Sequence, residues 1–297
     1  MLKTKENMRY QVLCHVVLVL LTIFMVFPFV LLFMSSITEE NTLIMNGYSL
    51  FPEKFSLEAY RYIFQHGDKV FHAYGVTIFV TAVGTACNLL LTSMLAFGLS
   101  LKKLPFRRGL MFYVFFTMLF NGGLVPSYMM YTGTFHIKNT IFAILVPNLL
   151  MSAVNVLLVR TYFETSIPDA LYEAAEIDGA GYLTVFGKVA LPLGKPILVA
   201  TGLFAALGYW NDWTNGLYYV NQEKYWGIQN LLNKMISDVQ ALSSGLVSKD
   251  MASMIATMPS VSVRMAIAFV AMLPILIVYP FLQKYFAEGI AVGAVKG

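Results

Sequence analysis

The chain has 297 residues, of which 58% are apolar and 12% charged, and its formal net charge is +4. A soluble domain carries about a quarter charged residues, so this composition excludes an ordinary water-soluble enzyme and makes lipid the expected solvent. The small positive balance is that of short loops beside a membrane, and a nucleic-acid partner is not expected.

Uncharged runs of about 20 residues are needed to cross a bilayer core about 30 Å thick. The first lies between Arg9 and Glu39, interrupted only by His15, and predicts a span over 12–36. It is too long for the apolar core of a signal peptide, and Ser35, Ser36 and Ile37 supply no cleavage pattern, so it is expected to be retained. A charged arm, 37–70, follows; within it Ser56 to Phe64 reads as a helix with Leu57, Tyr60 and Phe64 on one face. The remaining runs predict spans over 73–101, 109–131, 139–161, 196–218 and 264–284, with a second polar arm over 222–262.

The expected fold class is therefore all-α, a single polytopic domain over 1–297 with six transmembrane helices. Lys3, Lys5 and Arg9 precede the first span, and Lys102, Lys103, Arg107 and Arg108 crowd the turn after the second. Basic loops stay in the cytoplasm, which places both termini there. Pro28, Pro126, Pro147 and Pro274 each remove a backbone donor inside a span and are expected bends. Cys14 and Cys87 fall within spans one and two and read as small buried apolar residues.

The segment between spans four and five differs from the other loops. Arg160 and Glu164 are one turn apart and can pair. Ser166 is an expected helix cap, with Pro168 and Asp169 in the first turn. The helix is predicted to run to about Asp178, where Gly179 supplies a left-handed terminator, and a second helix ends near Pro192. A helix of about three turns is marginal alone and gains stability by docking. Ala170, Ala174 and Ala175 keep it slim enough for a partner's groove, and Glu173 offers an acidic handle that fixes register.

Glu173-Ala174-Ala175, then Gly179, then Val189, Ala190, Leu191 and Pro192 resemble the EAA loop of binding-protein-dependent ABC importer permeases. Only valine at 189, where the pattern has isoleucine, departs from it. The resemblance covers nearly the whole chain and is closest to the carbohydrate importers of the maltose-transporter type, in particular the smaller of their two permeases. Ser49 to Pro52, Trp210-Asn211-Asp212-Trp213 and the tail from Gln283 to Gly297 carry that likeness.

The resemblance implies a prokaryotic cell-membrane protein that imports a sugar or oligosaccharide by alternating access. It makes the loop over 164–192 a cytoplasmic coupling element that docks on an ATPase, with Glu173, Ala174, Ala175, Asp178, Gly179, Leu191 and Pro192 as its coupling residues. The implied partners are a second, non-identical permease, two copies of the ATPase and an extracytoplasmic substrate-binding protein that meets the arm over 222–262. The C-terminal tail would reach toward the ATPase dimer interface.

The chain has no G-x-x-x-x-G-K-[ST] loop; Gly181 with Gly187, Lys188 and Val189 is a false match. Its four histidines lack metal-ligand spacing, and no nucleophile or paired-carboxylate arrangement suggests a hydrolase. No cofactor and no catalysis are expected of this chain, ATP and magnesium being left to the partner. Polar residues inside spans tend to face a cavity or another helix. Trp210, Asn211 and Asp212 are thus candidates for the substrate path, set against a simple interfacial belt. Two other readings stand beside the sugar permease: import of another small polar solute, and an ion-coupled secondary transporter, for which Asp212 is the available carboxylate.

Overall fold

A computed structural model describes residues 5–65, 67–243 and 261–294. Residues 244–260, in the second arm, and 295–297, in the tail, lie outside the described residues. In chain order the helices are α1 (Lys5–Ser36), α2 (Glu40–Asn46), α3 (Glu58–Gln65), α4 (Asp68–Ser100), α5 (Arg107–Leu119), α6 (Leu124–Met129), α7 (Phe142–Leu145) and α8 (Ala153–Ser166). There follow α9 (Asp169–Ile177), α10 (Tyr182–Val185), α11 (Leu191–Leu193), α12 (Lys195–Trp210), α13 (Thr214–Tyr219), α14 (Ile228–Ser243) and α15 (Val261–Ala294). Among the described residues the only extended pairing is a single bridge between Thr38 and Phe55.

The chain divides into two compact units, one formed by Met1–Lys69 with Leu232–Pro274 and the other by Val70–Leu231 with Ile275–Gly297. In the first unit α1 is exposed along most of its length, as a helix facing lipid is, and Pro28 sits inside it without breaking it. Cys14 is exposed on this surface rather than buried. Beyond α1 the arm folds back on itself, the Glu39 amide donating to the Lys54 carbonyl at 3.0 Å and the Ser56 amide to that of Ile37 at 2.8 Å. The Ser56 hydroxyl accepts from the Glu58 amide at 3.1 Å and starts α3. The face that α3 buries is Ala59 and Ile63, whereas Leu57 and Phe64 are 68% and 72% exposed. Tyr60 is half-buried, its hydroxyl 2.7 Å from that of Ser36. Glu40 accepts from the amides of Val261 and Ser262, both at 2.8 Å, so a carboxylate from the arm satisfies open donors at the start of α15. Pro274 lies within α15 and does not interrupt it.

In the second unit α4 buries a stripe that recurs at three- and four-residue steps, including Ala73, Thr77, Val80, Gly84, Asn88 and Thr92. Small residues let helices approach closely. Gly84 lies directly under the Tyr209 ring of α12, and a Cβ on Gly202 would stand 2.9 Å from Leu89. Cys87, on the same helix, is exposed.

Among the described residues, three stretches are long and apolar enough to cross a membrane as continuous helices: Tyr10–Ser36, Asp68–Ser100 and Val261–Val278. Two bent pairs add to these, Arg107–Leu119 with Leu124–Thr134 at 111°, and Tyr182–Leu193 with Lys195–Trp210 at 83°. Helix breaks also fall within the predicted spans 109–131, 139–161 and 196–218, each with a local cause. In the first, the Asn121 side chain accepts from the Gly123 amide at 2.8 Å and Gly123 takes a φ of +84°, ahead of Pro126. In the second, Pro147 is followed by Asn148 with a φ of +61°. In the third, α12 stops at Trp210 and Asp212 starts α13.

The break after α7 leaves backbone carbonyls without helical donors in an apolar setting, where each unmet group costs about 1–3 kcal/mol. Three side chains meet them. Tyr209 donates to the Leu145 carbonyl at 2.8 Å, Asn215 to that of Pro147 at 2.9 Å and Asn88 to that of Leu149 at 2.8 Å. Asn88 and Asn215 are buried, and these bonds explain how amides can sit there.

Candidate functional site

Helix α9 carries the Glu173-Ala174-Ala175 motif. It begins at Asp169 after Pro168, whose ring fixes φ near the helical value. Ser166 is the last residue of α8 and makes no capping bond to α9, so the expected serine cap is replaced by the proline and the first-turn carboxylate of Asp169. The C-terminus forms a Schellman motif: the Ala180 amide donates to Ala175 at 2.9 Å, the Gly179 amide to Glu176 at 3.0 Å, and Gly179 takes a φ of +74°. Asp178 occupies the C-cap position.

One side of α9 packs on the body of its unit. Tyr172 and Ala175 lie against a core of Phe97, Val156, Val159, Phe163, Ile167 and Phe186, with the Tyr172 ring edge-on to Phe97 at 6.1 Å. Burial, with the charge of Asp169 adding to it, pushes the Tyr172 phenol up to about 12. The other side is open: Ala170, Ala174 and Asp178 are exposed, and Ile177 is 86% exposed. Leu171 also faces outward.

Three ion pairs tie this segment to the turn between α4 and α5. Lys102 meets Asp169 at 2.5 Å, Lys103 meets Glu176 at 2.6 Å, and Arg107 meets Glu164 at 2.6 Å. Arg107 also donates to the Leu99 carbonyl at 2.8 Å, and Glu164 accepts from Arg160 one turn earlier, as their spacing predicts. The hydrogen bonds to Asp169 and Glu176, ahead of their Coulomb attraction, raise both lysines above the ordinary lysine range. A raised folded-state value means that these contacts contribute fully at neutral pH and are lost only as pH climbs through the alkaline lysine range. Glu173 lies between the two paired acids and lines a hollow of about 420 Å³ together with Phe97, Leu101, Lys103, Tyr172 and Phe186.

The second half of the loop is not a plain helix. After α10 the chain makes a π-helical turn over Phe186–Ala190, with the Leu191 amide reaching back to the Phe186 carbonyl. Pro192 follows within α11, where its missing donor is tolerated. Leu191 and Pro192 border an apolar hollow of about 560 Å³ with Leu89, Leu198 and Leu203. Gly194 then lets Phe163 of α8 pack directly on the backbone where α12 begins.

The residues proposed for a substrate path lie at the far end of α12. Trp210 is buried, Asn211 is exposed with its amide donated to the Leu207 carbonyl at 3.0 Å, and Asp212 is half-buried. Asp212 accepts from the amides of Thr214 at 3.1 Å and Asn215 at 3.2 Å, which makes its carboxylate the cap of α13. The coupling and path candidates are therefore separated along α12, with Gly194 at one end and Trp210 at the other. Lys102, Lys103 and Arg107 were legible only as loop charges. The acids seven residues apart on α9, opposite a dibasic turn, are the signal that joins them to the site.

Residues 88–292 match the family described as binding-protein-dependent transport system inner membrane component. The chain is similar to the polygalacturonan/rhamnogalacturonan transport system permease protein YtcP of Bacillus subtilis, at 36% identity over 98% of this chain and 100% of that one. It is 35% identical to Protein LplC of the same organism, over 92% of this chain and 90% of the other. Its fold superposes on the crystal structure of a bacterial ABC transporter involved in the import of the acidic polysaccharide alginate, with a TM-score of 0.82, 28% identity and coverage of 96% and 99%. A match over most of the length in sequence and in fold shows the family: the chain belongs to the inner-membrane permease components of binding-protein-dependent ABC importers, in the group that holds these carbohydrate permeases.

Proposed function

We propose that this chain is a translocation subunit that moves a saccharide into the cytoplasm by ATP-driven alternating access, and that α9 is the helix through which a separate ATPase acts. The observation that carries this reading is the division of α9 into a pinned face, Tyr172 and Ala175, and an open face of Ala170, Leu171, Ala174 and Ile177. A short helix with small and aliphatic residues outward is the shape that enters a groove. In this reading Glu173, Asp178 and Gly179 shape the docking end, and Leu191 and Pro192 pass the movement into α12. Three continuous helices and two bent pairs give five crossings; with the interrupted stretch over 139–161 taken as a sixth, α9 and both termini fall in the cytoplasm, consistent with the basic turn at Lys102 to Arg108.

The partners proposed are a second, non-identical permease, two ATPase copies that bind ATP and magnesium, and an extracytoplasmic binding protein meeting the arm over 222–262. This chain would bind no cofactor of its own. The saccharide class rests on the names of its relatives, which include transport proteins for polygalacturonan and rhamnogalacturonan and for arabinooligosaccharides. Affinity purification from native membranes is expected to bring down a second permease and an ATPase. Gradient-driven uptake by the chain alone, with no ATPase recovered, would point to a secondary transporter instead.

Trp210, Asn211 and Asp212 are proposed to border the path. Asp212→Asn keeps the oxygen that caps α13 while removing the charge. On this reading uptake falls several-fold with the melting temperature unchanged, and unaltered uptake would confine Asp212 to its capping role.

A further inference from the structure

We infer that Lys102 and Lys103 form a two-point latch that couples the motion of α9 to the α4–α5 pair, so that an ATPase gripping α9 pulls two more helices than the ones α9 is covalently joined to. This rests on the reading of α9 as the ATPase-docking helix and adds a route of transmission to it.

The geometry is specific. Asp169 and Glu176 are seven residues apart, about two helical turns and 10 Å, so both acids lie on one side of α9 at opposite ends. Adjacent lysines in the short turn after α4 reach one acid each, at 2.5 Å and 2.6 Å. Two attachment points separated along a rod resist its rotation as well as its translation; a single point would act as a swivel. Arg107, which holds both Glu164 and the Leu99 carbonyl, anchors the same turn to α8 and to the end of α4. The apolar core as well as the chain joins α9 to α8, and Tyr172 against Phe97 is the aromatic contact it makes with α4. The lysine pairs supply the polar link from α9 to this turn.

Each lysine pair is solvent-exposed, with 62% and 73% exposure at the lysines, so neither is strong alone. Their value lies in being two, and in positioning rather than in stability. Lys102 and Lys103 are therefore positioning residues, and the basic charge that helps orient the chain has a second use.

The test breaks the latch from its acidic side, because carboxylates contribute little to topology. The complete transporter, carrying Asp169→Asn with Glu176→Gln, is reconstituted in liposomes and compared for ATPase retention, ATP hydrolysis and substrate moved per ATP. ATPase retention is expected to be unchanged while substrate moved per ATP falls about threefold or more. Reversing one pair, Lys102→Glu with Asp169→Lys, is expected to restore the ratio that either reversal alone lowers. The latch is overturned if the neutralised pair transports with the parental ratio, or if the reversed pair behaves as the sum of its single variants. Loss of the ATPase from the neutralised variant would also overturn it, since Asp169 and Glu176 would then belong to the docking face. Failure of the docking reading itself shows elsewhere, as undiminished uptake when Glu173 and Gly179 are altered.

Discussion

Gly179→Pro is expected to lower uptake about tenfold or more while the amount of protein in the membrane stays near its parental level. Gly179 holds a φ of +74° and donates its amide to Glu176 at 3.0 Å. Proline fixes φ near −65° and has no donor, so both conditions fail together, and the chain must leave α9 along a different direction. No atom stands within 4 Å of where a Cβ would lie, so the loss would come from backbone conformation and not from collision. Glu173→Lys tests the same element by charge. The substitution places a cation next to the Lys103–Glu176 pair and reverses the sign of the acidic handle. Uptake assays with immunoblots of the membrane fraction decide the matter, and normal uptake in both variants would remove α9 from the coupling mechanism.

The second large effect is on stability. Gly194→Ala is expected to destabilise the protein by about 2–3 kcal/mol, because its Cβ would fall onto the fully buried Phe163 ring and within 2.8 Å of the Ala190 carbonyl oxygen. One obstacle is backbone and the other is a packed aromatic ring, so neither yields cheaply. Gly187→Ala, in the preceding π-helical turn, meets nothing within 4 Å and is expected to be neutral or slightly stabilising. Thermal unfolding of the two variants in detergent separates them. Equal midpoints would refute the claim that α8 and α12 cross at a glycine contact.

Much of this arrangement was readable from residue order. Charge-free runs located the apolar segments, Arg160 and Glu164 announced their pairing, and Gly179 terminates α9 as its position predicts. Of the four prolines expected to bend their spans, Pro126 and Pro147 lie at breaks, whereas Pro28 and Pro274 sit inside continuous helices. Apolarity over 139–161 is indifferent to whether the backbone is helical, and the break depends on Asn88, Tyr209 and Asn215 arriving from elsewhere to satisfy carbonyls. Ser166 looked like a cap because its type favours that position, yet Pro168 begins α9 later. The expected helix after Ser56 is present as α3, and the side chains it buries are Ala59 and Ile63. Lys102 and Lys103 read as orientation signals alone, since nothing in their own loop reveals which distant acids they meet. Asp212 shows the opposite case, a residue conspicuous for its charge whose visible work is to hold a turn.

The three donors to the break after α7 also bear on the order of biosynthesis. Asn88 emerges from the ribosome before the carbonyl it serves, but Tyr209 and Asn215 follow theirs by 64 and 68 residues. Until they are made, the Leu145 oxygen needs water, and the Pro147 oxygen has only the Leu149 amide at 2.8 Å. The segment around Pro147 should therefore wait in a hydrated vestibule of the insertion machinery and enter lipid only as a package with the helices that follow it.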